Sequence, residues 1–269
     1  MKKKVHNQLA GMAENSMPYS KYKAFQKIDL PDRLWPSKSI TVAPKWCSVD
    51  LRDGNQALVD PMSVEEKLKM FDLLVEVGFS EIEVGFPAAS QPDFDFVRQI
   101  IDENRIPEGV AIQVLCQARP ELIERTITAV DGASDVIFHL YNSTSELQQK
   151  VVFEMDRQGI VDLAVKGTRL AKQGLSALTS NVTFQYSPES FTGTDVDFAA
   201  DICLKVCEEW GATAEYPMII NLPSTVEMAT PNVYADQIEY FIRQFPKRES
   251  IIVSLHTHND RGTGIAATE

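Results

Sequence analysis

From Lys45 onward, short β-like runs alternate with longer amphipathic stretches, and this alternation confines the chain to folds made of repeated βα units around a parallel sheet. Seven runs read as strands: WCSVDL at 46–51, EIEVGF at 81–86, AIQVLC at 111–116, DVIFHLY at 135–141, VTFQYS at 182–187, MIINL at 218–222 and IIVSLH at 251–256. The stretches between them predict helices over 63–78, 92–104, 119–130, 146–174, 195–210 and 232–244. In the first of these, Ser63 with Glu66 three residues on forms a capping box, and Gly78 closes the other end.

Side-chain alternation along the strands separates two sheet architectures. In the last run Ile251, Val253 and Leu255 share one face, and Ser254, His256 and His258 the other. His139 and Tyr141 oppose Phe138 and Leu140 in the fourth run, and Thr183, Gln185, Ser187 and Glu189 oppose Val182, Phe184 and Tyr186 in the fifth. An open doubly wound sheet meets helices on both faces and needs both to be apolar. A (β/α)8 TIM barrel meets helices only on the outside and gathers its chemistry at the inner C-terminal strand ends, where these polar positions fall. The sequence therefore predicts an α/β fold of TIM-barrel type. By count the barrel is incomplete: about seven βα units are present, the eighth strand is missing, and the chain stops at Glu269 inside what should be the next helix.

Composition narrows the partners. The formal charge of −12 argues against nucleic acid or an anionic membrane surface, which call for clustered Lys and Arg. The basic start Met1-Lys2-Lys3-Lys4 leads into the polar HNQLAGMAENSMP, which lacks the apolar core of a signal peptide, and no run is long enough to span a membrane. Cys47, Cys116, Cys203 and Cys207 form no CxxC pair and read as reduced cysteines, mostly core, of a cytoplasmic protein. Residues 1–43, with Pro-containing breaks around Pro18 and Pro31–Pro36, lack any sustained period. They read as an N-terminal arm, which includes His6, ahead of a barrel domain over 44–269.

His256-Thr257-His258 sets two imidazoles at i, i+2 on one face of a strand end, close enough to bind one divalent ion. Such a pair alone is as readily core or surface. The chain has four histidines, however, and three of them, His139, His256 and His258, fall at inward positions near strand ends. Asp50-Leu51-Arg52-Asp53-Gly54 ends the first run. It reads either as a charged strand exit with a glycine turn, or as an oxygen ligand from Asp53 beside an arginine facing the oxygen that becomes negative during reaction. In a barrel the first and seventh strands are separated only by the eighth, so Asp53 can face His256 and His258. One carboxylate and two imidazoles suit Zn²⁺, Mn²⁺ or Mg²⁺ alike. Glu81 and Glu83 share a face of the second run. An acidic side chain inside a barrel is costly unless paired; pairing Glu83 with an arginine such as Arg52 removes that cost, and Glu81 is free to face solvent. Asn221-Leu222-Pro223-Ser224-Thr225 reads as a loop after the sixth strand or as a source of hydroxyl contacts to a substrate carboxylate.

The stretches WCSVDLRDGNQALVDPMS, EIEVGFPAASQPDFDFVR, HLYNSTS, QYSPESFTGT, NLPSTVEMATPN and SLHTHNDRGTG, in that order, together resemble the 2-isopropylmalate synthase family. The resemblance is to the longer form, whose arm carries a segment like Lys21-Tyr22 followed by Leu30-Pro31-Asp32-Arg33-Leu34-Trp35-Pro36, and it runs from about residue 17 to the last residue. It implies a metal-dependent acyltransferase, cytoplasmic and homodimeric in its full-length form. That enzyme condenses acetyl-CoA with 2-oxoisovalerate and hydrolyses the thioester to 2-isopropylmalate and CoA, the first committed step of leucine biosynthesis. Position by position, the resemblance makes Asp53, His256 and His258 the metal ligands and Arg52 the catalytic, substrate-contacting arginine. It puts Glu189 close to metal and substrate as a second catalytic group, and His139, Tyr141, Ser187 and Thr225 around the oxo acid. The family also has an asparagine ligand on the eighth strand, a linking region that helps to hold acetyl-CoA, and a leucine-sensing domain. The sequence ends before all three, so at most trace activity is expected of these residues alone. Two alternatives stand beside this reading: a homocitrate or citramalate synthase that takes another oxo acid, and a catalytically inactive fragment that partners a full-length subunit.

Overall fold

The computed structural model describes Ser20 and residues 24–269; the start of the predicted arm, with His6, Pro18, Lys21 and Tyr22, lies outside them. Seven strands form one sheet in strict sequence order: β1 (Cys47–Ser48), β2 (Glu81–Gly85), β3 (Ala111–Gln117), β4 (Asp135–Ser143), β5 (Asn181–Glu189), β6 (Met218–Ser224) and β7 (Ile251–Thr257). Every neighbouring pair is parallel. Helices α1 (Val64–Val77), α2 (Gln91–Asp102), α3 (Pro120–Val130), α4 (Arg157–Leu175), α5 (Val196–Trp210) and α6 (Pro231–Gln244) connect them, and α7 (Gly264–Thr268) follows β7. This is the βα order of a TIM barrel, incomplete, with β1 and β7 as the two edges of the sheet. The sheet curls enough that Asp53, just beyond β1, touches His256 of β7 at 2.7 Å.

The two faces of the sheet separate as strand alternation requires. Phe138, Leu140, Phe184, Tyr186, Ile220 and Leu222 are buried in one cluster with Ile160, Ala164, Ile202, Cys203 and Val206 of the helices, and removal of this apolar surface from water drives the outer layer together. Phe184 stacks between Phe138 and Trp210, with ring centroids 6.5 and 4.2 Å apart. The inner face is polar but equally buried: Glu83, Gln113, His139, Gln185, Ser187 and Asn221. The capping box at Ser63 and Glu66 is formed, and Gly78 ends α1 at φ 101°, a conformation that costs glycine little. All four cysteines are free thiols. Among the described residues no helix is long and apolar enough to cross a membrane.

Two predicted elements differ from what forms. The run 46–51 pairs as a strand only at Cys47 and Ser48; Asp50–Gly54 then coils as a π-type turn, with Gly54 N–H donating to Val49 O at 3.1 Å. Consecutive residues of a strand face opposite ways, and this wide turn lets the adjacent Arg52 and Asp53 both face the interior. The predicted helix over 146–174 is broken. After Gln149–Phe153, Glu154 adopts φ 51°, and the helix restarts at Arg157 where the Asp156 side chain caps Gly159 N–H. Leu147, Val151 and Val152 are exposed there, so the first part of the stretch is held to the core by little more than Phe153. The apolar outer row predicted for the last strand is partly uncovered, with Ile251 buried and Leu255 39% exposed. Upstream, Arg33 and Trp35 Nε1 both donate to Asp236 of α6, and the N–H groups of Leu34 and Trp35 donate to Glu239.

Gly167 sits where α4 crosses closest to the sheet: a Cβ there would lie 2.9 Å from Ala118 Cβ and 3.4 Å from Leu140 Cδ2. Gly167→Val is expected to force the helix off the barrel wall and to cost about 1–3 kcal/mol, read as a lower urea midpoint. An unchanged midpoint would show that the wall yields freely.

Candidate active site

The C-terminal strand ends surround a cavity of about 240 Å³. Arg52, Asp53, His139, Tyr141, Ser187, Glu189, Thr225, His256 and His258 all line it, as do Gln56, Phe86, Leu115, Asn221 and Pro223. They reach it from the C-terminal ends of the seven strands or from the turns that follow, so curvature of the sheet assembles what the sequence scatters over some two hundred residues.

Asp53 Oδ2 lies 2.7 Å from His256 Nε2 and 3.6 Å from His258 Nε2, and ligand atoms of the three residues all fall within 4.8 Å of one another. His258 Nδ1 lies 2.8 Å from the carbonyl oxygen of Thr225; donation there leaves Nε2 as the ligating nitrogen, the usual outer support of a metal-binding imidazole. Burial acts to raise the Asp53 pKa, but the hydrogen bonds of His256 and His258 and the charge of Arg52 outweigh it and hold the carboxyl well below the usual range. The hydrogen bond to Asp53 raises His258 in turn. An ionised carboxylate facing two imidazoles is a donor set that fits a divalent transition ion or Mg²⁺.

Behind this cluster, Arg52 Nε donates to Glu83 Oε1 and its NH1 group to Asp53 Oδ1. The Glu83 side chain is fully buried and that of Arg52 is 10% exposed. Glu83 also receives Gln113 Nε2, and His139 Nδ1 lies 2.7 Å from its Oε2. Burial opposes the Glu83 charge, yet Arg52, His139 and Gln113 together hold its pKa low. Burial lowers His139, against the pull of Glu83, and pushes Tyr141 up to about 12. Burial also raises Glu189, with only Arg52 opposing. Thr225 Oγ1 accepts Ser190 N–H at 3.0 Å, and Ser190 adopts φ 60°.

The sequence assigns no role to Gln56, Phe86 and Leu115 of the lining, nor to the inward polar groups Gln113 and Ser254. A signal for Gln113 exists: it is the one strongly polar residue in AIQVLC, and its register partner on β2 is Glu83. Ser254 shares the parity of His256 but gains meaning only from Asn221, 3.1 Å away on the neighbouring strand.

Residues 43–269 match the HMGL-like family. Over 254 residues the chain is 59% identical to the 2-isopropylmalate synthase of Rhodospirillum rubrum, covering 94% of this chain and 46% of that protein. It is 60% identical over 262 residues to the 2-isopropylmalate synthase of Leifsonia xyli subsp. xyli, covering 96% and 44%. The chain thus spans about half the length of the curated relatives it matches. A crystal structure of hydroxymethylglutaryl-CoA lyase from Pseudomonas aeruginosa aligns with a TM-score of 0.60 at 19% identity, over 82% of this chain and 70% of that one, and so shares the fold.

Glu83→Ala would leave the Arg52 guanidinium buried beside a single carboxylate. A loss of about 3–5 kcal/mol in unfolding free energy is expected, and a loss below about 1 kcal/mol would mean that Arg52 escapes to solvent at little cost.

Proposed function

This chain belongs to the HMGL-like family, and from that premise we propose that it forms the catalytic barrel of a 2-isopropylmalate synthase. The reaction is condensation of acetyl-CoA with 2-oxoisovalerate and hydrolysis of the thioester to 2-isopropylmalate and CoA, in leucine biosynthesis. The observation that carries the reading is the high identity to synthases of that name over nearly the whole chain, joined to a cavity in which Asp53, His256 and His258 converge beside Arg52. The working protein is read as a cytoplasmic homodimer.

Asp53, His256 and His258 would hold the divalent ion, Mg²⁺, Mn²⁺ or Zn²⁺, and the ion when bound supplies Lewis-acid polarisation of the oxo-acid carbonyl. Arg52 uses Nε and NH1 on Glu83 and Asp53; its NH2 group has no partner among the described residues and is available to the oxygen that becomes negative. Thr225 and Ser187 flank the oxo acid. Phe86, Leu115, Tyr141 and Pro223 give the cavity an apolar wall, which suits a branched hydrocarbon side chain better than a second carboxylate. Glu189, raised by burial and lining the cavity, is suited to hold or release a proton at its carboxyl oxygen.

The direct test is CoA release by the whole protein that contains this chain, with acetyl-CoA and 2-oxoisovalerate, pyruvate or 2-oxoglutarate in turn. The highest kcat/KM is expected for 2-oxoisovalerate; a clear preference for pyruvate or 2-oxoglutarate would move the reading to a citramalate or homocitrate synthase. Arg52→Ala should lower kcat by about 10²-fold or more, whereas a raised KM alone would make Arg52 a binding group. His256→Ala should abolish stoichiometric divalent-metal binding in calorimetry, and retained binding would place the ion elsewhere.

A further inference from the structure

A row of hydrogen bonds crosses the inner face from β7 to β2. Ser254 Oγ lies 3.1 Å from Asn221 Oδ1, and Asn221 Nδ2 lies 2.8 Å from Ser187 Oγ. Ser187 Oγ is 2.7 Å from His139 Nε2, and His139 Nδ1 is 2.7 Å from Glu83 Oε2. Asn221, Ser187, His139 and Glu83 are all buried, so a mismatched donor or acceptor in the row is costly even where the row borders the cavity.

For an uncharged His139 ring, proton bookkeeping sets the direction of each bond in the row. Glu83, paired with the Arg52 guanidinium and accepting from Gln113, is a carboxylate with no proton to give, so His139 Nδ1, 2.7 Å from Oε2, is the donor to it; Gln113 Nε2, 3.3 Å from the same Nδ1, is a second donor converging on that oxygen. At the other end, Asn221 turns its amide nitrogen, which can only donate, toward Ser187. Burial lowers the His139 pKa and favours the uncharged ring; with its one proton on Nδ1 its Nε2 is bare, and Ser187, accepting from Asn221, directs its single proton there. The Asn221 carbonyl faces Ser254 and accepts its hydroxyl proton. All the donors point one way, toward Glu83. Reversing one member would set donor against donor or acceptor against acceptor, at about 1–3 kcal/mol for each buried group left unmatched.

We propose that Asn221 and Ser254 are positioning residues that hold His139 as the neutral Nδ1–H tautomer, with its Nε2 lone pair permanently engaged by Ser187. His139 lines the cavity yet has neither a proton nor a lone pair to offer there; it acts by bracing Glu83, and through Glu83 the guanidinium of Arg52. Ser187 likewise has no proton left for a bound acid. Thr225 does, because its oxygen accepts from Ser190 N–H and its hydroxyl proton stays free. The tautomer follows from the hydrogen-bond row and the burial of the ring, and only its catalytic consequence rests on the synthase reading.

The test is a proton–nitrogen correlation spectrum of the whole protein, isotope-labelled at its histidine nitrogens, near neutral pH and with Mg²⁺ present. The His139 ring is assigned by its loss in His139→Gln. The expected signature is a protonated Nδ1 and an unprotonated Nε2. Asn221→Asp keeps the shape but can only accept toward Ser187, so the row should reverse and the unprotonated Nε2 signal should be lost. Ser254→Ala should free the Asn221 amide to turn and broaden the same signal. A protonated Nε2 in the unsubstituted protein overturns the proposal whether or not either variant folds; so does a ring left unaltered by both variants when they fold. Because the readout is not turnover, an inactive protein with the expected tautomer would refute the synthase reading alone.

Discussion

Glu83 carries a negative charge at full burial, and the interior of the barrel is organised around satisfying it. Its two oxygens receive Arg52, Gln113 and His139 from three other segments, so one carboxylate fixes the relative positions of the turn after β1 and of β2, β3 and β4. An isolated charge at that depth would be prohibitive, and a single partner would leave lone pairs unmet. With all partners in place it becomes a rigid anchor, from which Arg52 reaches back to Asp53.

The Arg52–Asp53 pair links this anchor to the metal-ligand cluster. Asp53 belongs to one edge of the sheet, and His256 and His258 to the other. Their convergence depends on curvature that arises elsewhere: strand twist, and the packing of Phe138, Phe184 and Trp210 between sheet and helix. A parallel sheet that carried the same residues without closing would leave the carboxylate and the imidazoles far apart. The apolar outer layer supplies the folding energy, and the polar inner layer spends part of it in holding charged groups where a polarised substrate can use them.

The division between these layers was legible in the primary structure. Alternation along β4 and β5 put His139, Ser187 and Glu189 on one side and Phe138, Phe184 and Tyr186 on the other, and that is how they lie. Helix α1 could be read from its cap to its closing glycine because capping is decided within one turn of chain. The scattered site residues were legible for the same reason: each sits at a strand end, and a barrel brings strand ends together whatever their separation in sequence.

What the sequence by itself determined is therefore periodicity, sidedness and order, which depend on neighbours a few residues away. Only the tertiary structure decided features set by distant partners. The π-type turn at Asp50–Gly54 aims Arg52 and Asp53 the same way, against strand alternation, because Glu83 and His256 lie where both side chains are needed. The helix predicted through 146–174 breaks at Glu154, where Leu147, Val151 and Val152 lie exposed and Phe153 alone of the leading apolar residues packs on the core. The inward roles of Gln113 and Ser254 were hidden for a related reason. A lone amide or hydroxyl in a strand has no readable purpose until the adjacent strand sets Glu83 or Asn221 beside it, and hydrogen-bond complementarity across strands is a property of register that no single segment contains.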